Sequence, residues 1–272
     1  MRLFLFLIFL LARTFVYAGC KPLETLEGVV SIPTCEFESC VSGAKAIYEY
    51  SNRIKDDPNV LMFNLHSSPW RFYDDDMRIL TIEEVARMAK PYITSGAKRI
   101  VLMGSWTGAS PNRNEKSLSQ RLSTALDGFP VSGMDGFLWL AKDGSARTTH
   151  QAFSVRKGKG EYKIKTGTEV MVSMVAGWPI DAEGYSRSVK DSDGIMRAGA
   201  GWDIFFLCPD SALSSFETAA QLSNPIAAYN AALIRLERNG EGDRDKAAEL
   251  LIKAAKSGDV KAKARLNALK LK

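Results

Sequence analysis

Two side chains at the ends of apolar runs could form a nucleophile and its base. His66 closes the run "NVLMFNLH", and Ser105 follows the run "RIVLMG". Because catalytic groups in open α/β sheets gather at the carboxyl ends of strands, the two side chains could face each other. A serine hydroxyl attacks only when a base takes its proton, and a histidine can do so. A hydrolase or peptidase that uses His66 and Ser105 is therefore one interpretation.

The surroundings of Ser105 favour a structural role instead. The Gly-x-Ser-x-Gly turn of many serine hydrolases would need glycines where Met103 and Thr107 stand. No third group that could orient His66 is identified. We therefore predict that the Ser105 hydroxyl caps local backbone at a strand end, and we assign no catalytic residue.

The loops that follow the two runs carry residues typical of protein interfaces. The first, "SSPWRFYDDDMR", combines aromatic side chains with an arginine, and a tryptophan follows Ser105 in the second. Aromatic residues and arginine supply much of the binding energy at interfaces. We predict a partner-binding rim made of Trp70, Arg71, Phe72, Tyr73 and Trp106.

Charge and ligand spacing exclude other kinds of site. The three consecutive acids Asp74, Asp75 and Asp76 lack calcium-ligand spacing and predict a solvated turn. The two histidines are far apart in sequence, so no zinc site and no cofactor are predicted. The net charge of +5 falls to about +3 once the first eighteen residues are removed, which is too mild to indicate nucleic acid.

The first eighteen residues predict export. They carry Arg2, an apolar block and a small residue at Ala18, as a signal peptide requires. The segment "VYAGC" also resembles a lipobox, although Tyr17 replaces the usual aliphatic residue. Two products stay open: a soluble periplasmic protein, or one anchored to a membrane by lipid on Cys20.

Export implies an oxidising compartment in which cysteines pair. Cys35 and Cys40 are close enough in sequence to form a bridge. Cys20 and Cys208 could pair if Cys20 carries no lipid. Otherwise Cys208 is expected to be a buried thiol.

The elements that would position these side chains alternate between helix and strand from residue 40 to about 154. Apolar spacing predicts helices in "VSGAKAIYEYSNRI", "TIEEVARMAKPYI" and "SLSQRLSTAL", the second capped by Thr81. The two apolar runs predict buried strands. This alternation predicts an α/β fold with a mainly parallel sheet and flanking helices.

A β-rich extension is predicted next. "DGFLWLAKDGSARTTHQAF" indicates two strands about the turn 142–145, and "RKGKGEYKIK" a solvated hairpin. "EVMVSMVAG" and "WDIFFLC" are further strand candidates. The polar, glycine-containing stretch between them, "DAEGYSRSVKDSDGIMRAGAG", predicts a loop.

The last fifty or so residues are alanine-rich and helical in period, with breaks at "NGEGD" and "SGD". They resemble the SEL-like repeat, a relative of the tetratricopeptide repeat, at 228–230, 239–242, 246–248, 253–255 and 258–259. One repeat and a further half-helix fall short of the roughly three that a free solenoid needs, so this region must dock on the larger domain.

Two wider resemblances bear on function. The order of strand, histidine, strand and small residue resembles the caspase-like fold over residues 40 to 150, but Ser105 stands at that family's cysteine position and Ser67 at its usual glycine. An exported scaffold with an appended SEL-like repeat resembles the periplasmic immunity proteins that neutralise type VI secretion effectors, notably lipases of the phospholipase D class. These resemblances imply a non-catalytic protein whose partner is a secreted effector toxin.

The predicted organisation has four parts. These are a signal peptide (1–18), a cysteine-containing segment (19–40), an α/β domain (41–222) with its caspase-like order over 41–154, and a helical repeat (223–272).

Overall fold

The computed structural model of the chain describes residues 40–42, 49–150, 163–165, 172–173 and 189–270. The predicted signal peptide, Cys20 and Cys35 lie outside the described residues. Within these ranges a sheet-containing α/β part is followed by a run of helices. The predicted fold class is therefore confirmed.

A three-stranded parallel sheet forms the centre of the α/β part. Its strands are β2 (Val60–Phe63), β6 (Arg99–Leu102) and β7 (Val131–Gly133), with β6 in the middle. The register pairs Phe63 with Leu102 and Leu102 with Gly133. The two apolar runs thus end side by side, as the sequence predicts.

Two helices connect these strands, and each begins with a capping box. Helix α1 (Ile82–Thr94) is capped by Thr81, whose side chain accepts from the N–H of Glu84 while the Glu84 carboxylate accepts from Thr81. Helix α2 (Leu118–Ala125) is capped in the same way by Ser117. Such reciprocal bonds satisfy N–H groups that a helix start leaves unpaired. The apolar faces of both helices pack on the sheet in one buried cluster.

Short antiparallel sheets surround this centre. One contains β3 (His66–Ser67), β4 (Phe72–Tyr73) and β5 (Ile79–Leu80), which we call the 66–80 hairpins. The strands of the other two sheets are β8 (Phe137–Leu140) with β9 (Ala146–Thr149) and β11 (Val172–Ser173), and β1 (Cys40–Ser42) with β10 (Lys163–Lys165). The hairpin predicted about residues 142–145 is confirmed by β8 and β9.

Five helices complete the described chain. They are α3 (Ser192–Ile204), α4 (Pro209–Gln221), α5 (Pro225–Arg238), α6 (Asp243–Lys256) and α7 (Val260–Lys270). None of the helices in the described ranges is long and apolar enough to cross a bilayer.

Two sequence predictions about this region are wrong. The predicted loop at 181–201 contains most of α3, and the predicted strand at 202–208 contains the end of that helix. Glycine suggested a loop, but Gly199 is a packing position: a Cβ there would lie 2.8 Å from the ring of Phe216 in α4. The helical region therefore begins at Ser192 rather than at residue 223. Val41, predicted to lie in a helix, pairs with Ile164 in strand β1.

The alanine-rich helices dock on the α/β part through polar and apolar contacts. Asn230 is fully buried, and its side chain accepts from the N–H of Ile79 (2.9 Å) and donates to the carbonyl of Met77 (2.8 Å). Arg78 pairs with Asp259 at 2.5 Å. Residues of the 66–80 hairpins and the helices share one apolar cluster. The docking expected from the small number of repeats is thus present.

Replacing Asn230 tests this junction. Asn230→Ala is expected to lower the free energy of unfolding by about 2–4 kcal/mol, since two buried backbone groups lose their partners. Denaturant unfolding measures the change. The exposed Asn267→Ala is the control and should change it by about 0.5 kcal/mol or less. Equal losses in both variants would contradict a junction that depends on Asn230.

Candidate functional site

Ser105 lies where the sequence places it, at the end of β6, and its hydroxyl is used by the fold. The residue is 1% exposed, and its Oγ accepts from the backbone N–H of Leu138 in β8 at 3.0 Å. Its carbonyl accepts from the hydroxyl of Ser67 in β3 at 2.8 Å, which joins β3 to the segment that follows β6. The Ser105 side chain therefore holds β8 against the sheet.

His66 stands close by but forms no hydrogen bond to Ser105 among the described residues. Its Nδ1 is buried without a hydrogen-bond partner in the same part of the chain. Burial lowers the pKa of His66 below 6.5, and the negative charge of Asp75 opposes this effect only in part. Burial thus favours the neutral ring, and no group in the described part of the chain orients it through Nδ1.

Chain segments cover the carboxyl edge of the parallel sheet around Ser105. The N–H of Trp106 donates to Gly136 at 2.8 Å, and that of Gly108 to Met134 at 2.7 Å. A Cβ on Gly108 would lie 2.6 Å from the carbonyl oxygen of Gly133, so the two backbones touch. The edge where open α/β sheets commonly bind ligands is therefore occupied by the protein itself.

The predicted partner-binding rim is corrected for three of its five residues. Arg71, Phe72 and Tyr73 are 5%, 1% and 0% exposed, so they do not form an exposed rim, although Arg71 lines the wall of the groove described below. Trp106 is half-buried and packs against Phe137 (5.3 Å between ring centroids) and His150 (5.7 Å). Trp70 is also half-buried, and it lines an open groove.

Arg71 is buried because it belongs to a charged cluster that sequence reasoning missed. Asp203 of α3 is fully buried and accepts from Arg71 Nη1 (2.6 Å), Ser68 Oγ (2.7 Å) and the Tyr73 hydroxyl (2.8 Å). Arg71 Nε also donates to Glu237 of α5 at 2.8 Å. The cluster thus joins the 66–80 hairpins to two helices. An acid inside the apolar stretch "WDIFFLC" was the available signal, because a buried carboxylate requires partners.

The electrostatics of this cluster follow from its burial. Burial raises the pKa of Tyr73 well above its usual value, and the neighbouring Asp203 raises it further. Burial alone would lower the pKa of Arg71, but the carboxylates of Asp203 and Glu237 outweigh it and raise the pKa. Arg71 therefore carries its charge, and Tyr73 keeps its proton, throughout the physiological range.

The three acids after Tyr73 form a turn, as predicted. Asp74 accepts from the N–H groups of Asp76 (3.1 Å) and Arg78 (2.9 Å) through one carboxylate oxygen. Within the described ranges, no three His, Cys, Asp or Glu side chains gather as metal ligands would.

Cys208 is buried and disulfide-bonded. Cys208 is therefore not a buried thiol, and the predicted pairing with Cys20 stays a prediction. Its partner, and the predicted Cys35–Cys40 bridge, involve side chains outside the described residues.

Two cavities open beside this cluster, and both are lined by Trp70, Arg71, Arg121 and Glu237. The larger, which we call the outer groove, has a volume of about 670 Å³ and lies between α2, α4, α5 and the loop before α2. Its walls carry both signs of charge, from Lys116, Arg121 and Arg238 and from Glu115, Asp210 and Glu237. The smaller, which we call the inner pocket, has a volume of about 160 Å³.

The cluster predicts that two Asp–Arg pairs contribute very different amounts to the free energy of unfolding. Asp203→Ala should lower the free energy of unfolding by about 3–5 kcal/mol, because it leaves the buried Arg71 charge undercompensated. Asp210→Ala breaks an exposed pair with Arg238 (3.3 Å) and should cost about 1 kcal/mol or less. Urea unfolding of both variants measures the difference, and similar losses would contradict it.

The lowered pKa of His66 predicts a pH dependence of stability. The unfolded chain binds a proton near pH 6.5 whereas folded His66 does so only at lower pH, so stability should fall as pH drops from about 7 to 5. His66→Gln should reduce this slope. Unfolding free energies measured across this pH range in both proteins provide the test, and equal slopes would refute it.

Comparisons with known proteins match one part of the chain. Residues 36–148 match the model of a domain of unknown function, DUF8616. This range contains the parallel sheet and nearly all of the β8–β9 hairpin, and it ends before α3. No curated protein and no solved structure matches the chain. The α/β part is thus similar to that family of domains, and helices α3 to α7 lie beyond the match.

Proposed function

We propose that this chain is a non-catalytic binding protein of the periplasm whose partner is another protein. The outer groove carries this proposal. It is open, it is walled by elements from both the α/β part and the helices, and half-buried Trp70 lies in it. Tryptophan and arginine are enriched at protein interfaces, and Trp70 lies beside Arg121 and Arg238 in this groove.

The state of Ser105 also supports binding rather than catalysis. A serine nucleophile needs a base within hydrogen-bond reach and donors for the oxyanion. The Ser105 Oγ instead accepts from the Leu138 N–H and is 1% exposed, so a substrate carbonyl would have to displace β8 to reach it.

The class of partner rests on the sequence. An export signal and a SEL-like C-terminal region together resemble periplasmic immunity proteins. The proposed partner is therefore a secreted effector of the phospholipase type, neutralised in the periplasm by a protein that is either soluble or anchored through lipid on Cys20. Cys20 lies outside the described residues.

A periplasmic hydrolase that uses His66 and Ser105 is the second candidate. One observation favours it: the Ser67–Ser105 hydrogen bond places β3, which begins with His66, next to the segment after β6, and His66 Nδ1 has no partner among the described residues. Screening the purified protein against ester and peptide substrates tests it. Hydrolysis that disappears in both His66→Ala and Ser105→Ala would replace the binding proposal.

The binding proposal predicts a specific effect of Trp70. The tagged mature chain should capture a partner from periplasmic extract, and Trp70→Ala should weaken that complex by about 30-fold or more, since a central tryptophan is worth about 2 kcal/mol. Biolayer interferometry with the captured protein measures the affinity. Tyr92→Ala is the matched control, because Tyr92 is an exposed aromatic residue of α1 outside the groove. Equal affinity of the two variants would exclude the outer groove.

A further inference from the structure

The inner pocket combines apolar walls with unpaired arginines. Leu118 of α2 and the α5 residues Leu233 and Leu236 line it, and so do Arg121 and Arg265. Arg265 comes from α7, so the pocket forms only when the last helix is docked. Its volume is about 160 Å³, which is below the range of pockets for drug-sized ligands and suits a small organic group.

Arg265 differs from the other arginines at the junction. Arg71, Arg78 and Arg235 each pair with one or two carboxylates. Arg265 has no ion pair in the described part of the chain, and its Nε is buried without a hydrogen-bond partner there. A buried guanidinium nitrogen without an acceptor is costly, because it has lost water and gained nothing in exchange.

Arg121 also lacks a carboxylate partner among the described residues. One of its terminal nitrogens donates to the carbonyl of Trp70 at 2.9 Å, which fixes the side chain at the pocket wall. It forms no ion pair within 4 Å among the described residues, although Glu237 lies nearby and feels its charge. Besides the paired Arg71, the pocket is thus lined by Arg121 and Arg265, which form no ion pair among the described residues.

We propose that the inner pocket binds a carboxylate carried by an apolar group, with Arg265 and Arg121 as its cationic partners. A guanidinium matches a carboxylate with two parallel hydrogen bonds, and the leucines would cover the apolar group. Glu83 and Glu237 also line the pocket and would repel the greater charge of a phosphate. A singly charged carboxylate fits this balance best.

Such a carboxylate could come from a free small acid or from the last residue of a polypeptide. The proposal requires only the shared chemistry and does not rest on the proposed partner, because Arg265 does not line the outer groove. An experiment can therefore contradict carboxylate binding in the inner pocket without contradicting protein binding in the outer groove, and the reverse.

Calorimetric titration of the full mature chain tests the proposal with defined probes. N-acetyl-leucine should bind, whereas its neutral amide and inorganic phosphate should not. Arg265→Gln should weaken N-acetyl-leucine binding at least tenfold. Arg87→Gln, which removes one exposed charge from α1, should leave it unchanged. A peptide that ends in leucine and binds more than tenfold tighter identifies a polypeptide terminus as the source, and equal affinity identifies a small acid.

A second measurement separates binding from folding. Arg265→Met should raise the melting temperature of the ligand-free protein by about 2 °C or more, since it removes a buried donor without a partner, while it abolishes binding. Equal binding of the acid and its amide, preferential binding of phosphate, or equal affinity of the Arg265→Gln and Arg87→Gln variants would overturn the proposal. A melting temperature lowered by Arg265→Met would do so too.

Discussion

The ion pair between Arg71 and Asp203 constrains how the two parts of the molecule meet. Both side chains are buried, at 4% and 0% exposure, so each has lost the water that stabilised its charge. Such a pair is tolerable only when the remaining hydrogen-bonding capacity is also met. Ser68 and Tyr73 supply two further donors to Asp203, and Glu237 supplies a second carboxylate to Arg71. The satisfied geometry allows little freedom in how α3 and α5 lie against the 66–80 hairpins.

This constraint extends to the groove through Ser68. The Ser68 hydroxyl donates to Asp203 and accepts from the backbone N–H groups of Trp70 (3.3 Å) and Arg71 (3.2 Å). The carbonyl of Trp70 in turn accepts from Arg121 of α2. The N–H and the carbonyl of Trp70 are therefore both hydrogen-bonded, while its side chain remains partly exposed. A tryptophan positioned in advance loses less conformational entropy on binding, which favours an interface role.

Local patterns in the sequence predicted local structure well and long-range pairing poorly. The cap at Thr81 and the turn at 142–145 each depend on residues a few positions apart, and each is present. Helix α3 was not predicted because glycines occupy three of its buried positions, Gly194, Gly199 and Gly201, so the large apolar side chains that mark a helix face are missing there. Arg71 was correctly singled out but wrongly placed at the surface. Its partner Asp203 is 132 positions away, and nothing near Arg71 in sequence indicates that carboxylate.

The position of the open surface follows from what covers the parallel sheet. Ser105, Trp106 and Gly108 bond the strand ends to the segment that leads into β8, so the usual ligand edge of the sheet is filled. A sheet closed at that edge can still present a binding surface where another element meets it. Here the element is the helical region, and its junction with the 66–80 hairpins creates both the outer groove and the inner pocket. The C-terminal helices therefore do more than bury apolar surface: they provide walls for both cavities that the α/β part alone would lack.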